Sequence, residues 1–129
     1  MRMNFLDKWQ PQLLSVLRIV TALLFIEHGT AKFLHFPPTA MTQGISQLSF
    51  FGLLGLFEIV TGALVALGLF TRPIAFVLSG EMAVAYFMVH APQSFFPLLN
   101  QGEGAIYFCF AFLYLAAAGP GPWSLSART

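Results

Sequence analysis

The chain has 129 residues, of which 57% are hydrophobic and only 9% charged, with 15 phenylalanines and a formal net charge of +1; a typical soluble domain carries about 25% charged residues. So few polar groups cannot cover a water-soluble fold, and six scattered basic residues with no basic patch argue against a nucleic-acid partner. The lone cysteine, Cys109, excludes an internal disulfide and a Cys-x-x-Cys redox pair.

The apolar residues fall in four blocks, at about 12–34, 50–71, 73–91 and 103–119, each close to the ~17–25 residues that span a hydrocarbon core of about 30 Å. Within lipid the backbone must satisfy its own hydrogen bonds, and the absence of long polar–apolar alternation favours helices over a barrel. The first block follows the mixed charges Arg2, Asp7 and Lys8, contains Arg18, and runs past Glu27 and His28 without a small-x-small cleavage signature. It is therefore expected to be a retained helix and not a signal peptide. Pro37 and Pro38 stop it, and Gly44 and Ser49 lie in the loop before the second block. Thr71-Arg72-Pro73 predicts a turn so tight that the second and third helices are antiparallel neighbours. Pro92 and Pro97 end the third helix, Asn100-Gln101-Gly102 precedes the fourth and shortest, and Gly119-Pro120-Gly121-Pro122 closes the helical region. The expected fold is all-α: a single domain over 1–129, a membrane-spanning four-helix bundle. Arg2, Lys8, Arg72 and Arg128 fall on the side of the termini and the tight turn, against Lys32 alone on the other, which predicts N- and C-termini in the cytoplasm. Phe36, Phe50, Phe95 and Phe96 are then candidate interface anchors.

An ionised residue at the centre of a spanning helix costs about 2.5 to 3.5 kcal/mol on insertion scales, so buried acids must face partners, protein or water. Each block supplies one: Glu27, Glu58, Glu81 and Glu103. At ~1.5 Å per residue from the cytoplasmic ends of the blocks, Glu27 and Glu58 lie at roughly 20 Å, Glu81 at roughly 12 Å and Arg18 at roughly 9 Å. An Arg18–Glu81 ion pair is therefore expected to be structural. His28, Lys32 and His35 share a stripe on the first helix, with Glu27 about 100° to one side. Two readings stand for this group. In one, Glu27, His28, Lys32 and His35 form an outward-opening polar site completed by Glu58 and Glu103; in the other, Lys32 and His35 snorkel to headgroups and His28 bonds between helices. Gly55 and Gly62 flank Glu58 at helical spacing and let another helix approach, which buries the carboxylate and makes His28 a candidate partner. Glu103, Tyr107, Phe110 and Tyr114 lie along one face of the fourth helix, as an aromatic slot for a ring-shaped ligand or as ordinary packing.

No metal site is expected: a carboxylate-bridged pair needs Glu-x-x-His on two helices, a pattern absent from the sequence. Haem between His28 and His90 is disfavoured by their different depths, and no serine or cysteine has a nucleophile's partner.

The segments Phe25-Ile26-Glu27-His28-Gly29-Thr30-Ala31-Lys32-Phe33, Glu58-Ile59-Val60-Thr61-Gly62, Gly68-Leu69-Phe70-Thr71-Arg72-Pro73 and Gly119-Pro120-Gly121-Pro122-Trp123-Ser124-Leu125 together resemble the DoxX family of small bacterial membrane proteins. The resemblance covers nearly the whole chain and implies a four-helix inner-membrane protein. Some relatives are the small subunit of a thiosulfate:quinone oxidoreductase, others are linked to membrane oxidoreductase and thiol-stress complexes, and many have no established activity. Glu27, His28, Lys32, Glu58 and Arg72 match the family pattern. The leading expectation is an accessory or quinone-interacting subunit of a membrane oxidoreductase or sulfur-oxidation system, multi-pass in the inner membrane. Glu27 and Glu58 would handle protons, and His28, Lys32, Glu103 and Tyr107 would bind ligand. No cofactor is encoded, so electrons would need a bound quinone or a membrane or periplasmic redox partner. A small-solute or proton transporter acting as a homo-oligomer, and a structural or assembly subunit, remain open.

Overall fold

The computed structural model describes residues 3–126. Arg2 and Arg128, used above for orientation, lie outside the described residues. Within them every regular element is helical. Helix α1 is Gln10–Phe33, α2 is Phe50–Leu67, α3 is Thr71–Ala85 and α4 is Glu103–Ala118. Single turns at Asn4–Asp7 and Pro97–Asn100 flank them. A π-helical turn, Tyr86–His90, and a 3-10 turn, Ala91–Gln93, prolong α3, so that Thr71–Gln93 forms one apolar rod of 23 residues. With α1 and α2, that makes three helices long and apolar enough to cross a membrane; α4, at 16 residues, is shorter, about 24 Å at 1.5 Å per residue.

Local chemistry sets the ends. Ser49 caps α2 by accepting from the Gly52 amide at 3.2 Å. Gly68, at φ 76°, ends α2 in a Schellman motif: its amide bonds Val65 O at 3.0 Å and the Leu69 amide bonds Leu64 O at 2.9 Å. The tight turn is therefore Gly68-Leu69-Phe70, and not Thr71-Arg72-Pro73 as the sequence suggested. Pro73 sits in the first turn of α3, where its missing N–H costs no hydrogen bond.

The closest packing is within two pairs, α1 with α2 and α3 with α4. The helices joined by the tight turn, α2 and α3, are in contact as neighbours but touch much less. In the first pair, a Cβ on Gly29 would stand 2.7 Å from Gly55 O and 3.0 Å from Glu58 Cβ. Only glycine permits that approach, and it lays α1 directly over the glutamate. The two pairs meet through Phe25, whose ring stands edge-on to Phe112 at 5.0 Å, with Ala22, Val65, Leu78 and Leu115 fully buried around them. Leu23, Phe76, Phe87 and Phe110 are exposed along the outside of the rods, as are Phe36, Phe50, Phe95 and Phe96 near the loops. Such a surface requires lipid.

The end carrying the longer loops is fastened by Asn100, which is fully buried. Its amide nitrogen donates to Ser94 O at 2.9 Å and Tyr86 Oη at 3.2 Å, its Oδ1 accepts from the Gly102 amide at 2.8 Å, and its carbonyl meets His90 Nδ1 at 2.9 Å.

Candidate functional site

Charge is buried at two levels. At the tight-turn end, Arg18 is almost wholly buried and meets no carboxylate among the described residues. Its guanidinium donates to Pro120 O, to Trp123 O at 2.5 Å and to Ala66 O at 3.4 Å. Ser15 completes the clasp, donating to Pro120 O at 3.2 Å and accepting from the Trp123 amide at 3.0 Å. Arg72 does similar work beside it, donating to the carbonyls of Ala116, Ala117 and Ala118. These are the orphan acceptors at the C-terminus of α4, where the helix dipole favours a cation. The Gly-Pro-Gly-Pro-Trp segment is thus the acceptor half of an arginine clamp.

The expected Arg18–Glu81 pair is therefore corrected. Arg18 lies level with the turn, since a Cβ on Gly68 would be 3.4 Å from its Cζ. Glu81 stands roughly 15 Å further along α3 from Thr71, at 1.5 Å per residue. The arginine also points back toward the N-terminus of its helix, as helical side chains do, and so toward the C-terminal segment.

The second level lies toward the loop-bearing end. Lys32 Nζ contacts both carboxylate oxygens of Glu58, at 2.8 and 3.0 Å. The Glu58 side chain is 0% exposed and that of Lys32 23%. Lys32 does not snorkel to headgroups. Near the end of α1 its Cα–Cβ bond tilts inward, toward the helix N-terminus, while Glu58 on the antiparallel α2 tilts outward to meet it. Gly55 makes room for the lysine stem: a Cβ there would lie 2.7 Å from Lys32 Cβ. Glu58 thus pairs with Lys32, where the sequence offered His28. Glu81 joins them from α3. Its carboxyl lies beside that of Glu58 and in the field of Lys32, and both its oxygens are sealed from solvent and meet no donor among the described residues.

The other candidates separate from this cluster. Glu27 is exposed on the outer face of α1, and Glu103 is exposed at the start of α4. His28 turns toward α4, its ring edge-on to Phe108 at 5.2 Å. Its Nδ1 lies 2.9 Å from Leu24 O; a carbonyl only accepts, so Nδ1 carries a proton, and in the corresponding neutral tautomer Nε2 is the acceptor. Tyr107 lies across from it. The two line an open hollow of about 420 Å³ with Leu17, Thr21, Leu24 and Phe108. A second hollow of about 470 Å³, bounded by Pro11, Leu13, Leu14 and Tyr114, shares Leu17 with the first. Together they form a groove between α1 and α4, with His28 and Tyr107 near one end and Gln10 and Tyr114 near the other. Tyr107, Phe110 and Tyr114 are exposed, so the aromatic face of α4 looks out of the bundle and does not form an internal slot.

Apolar helices with a lipid-facing exterior and charges drawn inside define a membrane protein. More specifically, the chain belongs to the DoxX family, whose model matches residues 13–91. It is 48% identical to an uncharacterized protein of Haemophilus influenzae, over 98% of this chain and 97% of that one. It is 28% identical to the uncharacterized membrane protein Rv3486 of Mycobacterium tuberculosis, over 92% of this chain and 82% of that one. No solved structure matches it.

Two contributions escaped the sequence reading: Glu81 as a member of the Lys32–Glu58 cluster, and the C-terminal carbonyls as the partners of Arg18. The glycines held the signal for the first. Setting Gly29 against Gly55 fixes the level of Glu58 without reference to where any apolar block ends.

Proposed function

We propose that the chain is a four-helix protein of the bacterial inner membrane, with both termini cytoplasmic, acting as an accessory, quinone-interacting subunit of a membrane oxidoreductase or sulfur-oxidation system. The observation that carries this reading is the groove between α1 and α4. Its mostly apolar length between Pro11 and Leu24 suits a polyprenyl chain, and two polar side chains, His28 and Tyr107, line one end of it. Their chemistry is complementary to a quinone couple: the Tyr107 hydroxyl donates to a quinone carbonyl, and His28 Nε2 accepts from a quinol hydroxyl. A quinone bound there would supply the two-electron chemistry that no residue of the chain can. Lys32, turned into its ion pair with Glu58, and Glu103, outside the groove lining, are poorly placed to hold the headgroup. Glu58 suits proton handling better than the exposed Glu27. The orientation is supported by Lys8, Arg18 and Arg72 at the tight-turn end, while the lysine near the other end is directed inward.

The test is quinone binding by protein purified with its native lipid. A short-tailed quinone should raise the unfolding temperature of the wild type, and His28→Ala with Tyr107→Phe should abolish the rise. Absence of both extractable quinone and any such rise would overturn the reading. A second reading, a proton path in an oligomer, draws on the buried Lys32–Glu58–Glu81 cluster. Proton flux into liposomes, lost in Glu58→Gln, would favour it.

A further inference from the structure

The cluster on α1, α2 and α3, on which the proton-path reading draws, can be specified further. Two carboxyl groups and one ammonium meet where Glu58 is fully buried and both oxygens of Glu81 are sealed from solvent. Ionised carboxylates only accept hydrogen bonds. Lys32 spends its contacts on the two oxygens of Glu58. Glu81 lies beside Glu58, and its two sealed oxygens meet no donor among the described residues. The contact between the acids is then attractive only when a proton lies between them. Charge gives the same answer: fully ionised, the three groups carry a net −1 in a medium where an unpaired charge costs several kcal/mol, and one added proton makes them neutral.

We propose that Lys32, Glu58 and Glu81 form a binding site for one exchangeable proton, shared between the two carboxyl groups and held there by the lysine. The surrounding elements offer no competing charge. On α1 the neighbouring ionisable side chains, Glu27 and His28, are exposed and His28 turns to α4; on α2 and α3, outside the cluster, Arg72 is committed to carbonyls at the other end and His90 to Asn100. On α4, Glu103, Tyr107 and Tyr114 are exposed, and Cys109 contacts Ser79. Lys32 is the partly exposed member, so exchange proceeds past its ammonium at the loop-bearing end. The site stands independently of the quinone groove.

Infrared difference spectroscopy tests it on the full chain in lipid at neutral pH, reading the carbonyl stretch of protonated carboxylic acid and its shift in heavy water. Subtracting each variant from the wild type cancels Glu27 and Glu103. Sharing makes an unusual demand: Glu58→Gln and Glu81→Gln should each remove the same single exchangeable band, because the remaining acid pairs one-to-one with Lys32 and ionises. Lys32→Met should instead double the band, since each acid then needs its own proton. A band lost in only one of the two glutamine variants would overturn the proposal. So would a wild type with no such band, or one that does not shift in heavy water. Should one glutamine variant fail to fold, the twofold gain in Lys32→Met decides, with unchanged intensity counting against the site. A failed quinone assay leaves every one of these outcomes unaltered.

Discussion

Arg18 and Lys32 are both cations on α1 whose charged heads are drawn inside, yet they are neutralised in different ways. Arg18 is surrounded by carbonyls from three places in the chain, Ala66, Pro120 and Trp123. Lys32 is held by the carboxylate of Glu58. The difference follows from the side chains: a guanidinium is a permanent charge with five donors in a rigid fork, suited to an array of dipoles, whereas an ammonium is a compact point charge suited to one bidentate acid. Dipoles cannot take up or release protons at neutral pH, and carboxylates can. One end of α1 therefore closes the fold, and the other holds the groups with chemistry available to them.

That contrast can be broken by substitution. The largest effect is expected at the clamp. Arg18→Met takes the guanidinium from the carbonyls of Ala66 and Trp123 and leaves Pro120 O with Ser15 alone, and should cost about 3–5 kcal/mol, on the scale of removing one member of a buried charged network. A sharply lowered unfolding temperature in detergent checks this, and an unchanged one would mean that the C-terminal segment docks without the arginine. Next comes the helix crossing over Glu58. Gly55→Ala puts a methyl group against the Lys32 stem and should cost about 1–3 kcal/mol through overpacking, with the Lys32–Glu58 pair loosened and Lys32 more reactive toward an amine reagent. Arg72→Lys keeps the charge but loses the fork that spans Ala116 to Ala118, and should cost about 1 kcal/mol. Smallest of all, Glu27→Gln and Glu103→Gln should leave the unfolding temperature where it was, because neither side chain joins a buried network.

The apolar rods are legible in the sequence because hydropathy over some twenty residues is a strong signal, and the proline and glycine breaks are strong punctuation. The level of each charge along its rod is much less legible. The apolar block containing Glu58 runs on to residue 71, but Gly68 ends α2 after Leu67. Measured from Leu67, Glu58 lies at roughly 14 Å instead of roughly 20 Å, at 1.5 Å per residue, which brings it level with Glu81. Conversely, α1 extends past the turn, so Arg18 sits lower than its block boundary implied. Those two offsets explain why Glu81 was matched with the wrong cation. The inward course of Lys32 is readable from helix geometry, since side chains lean toward the helix N-terminus, but the tendency of lysines to snorkel toward headgroups pulls the other way and leaves two readings open. The partners of Arg18 were not readable at all, because backbone carbonyls leave no mark in composition.

The central claim is that two acids from separate helices serve one cation, and a double-mutant cycle on Glu58 and Glu81 tests it most directly. Either glutamine substitution alone leaves Lys32 a carboxylate, so each should lower unfolding stability only slightly, by about 1 kcal/mol or less. The double variant strands the ammonium and should lose about 3–5 kcal/mol. Two small losses that simply add in the double variant would contradict the account.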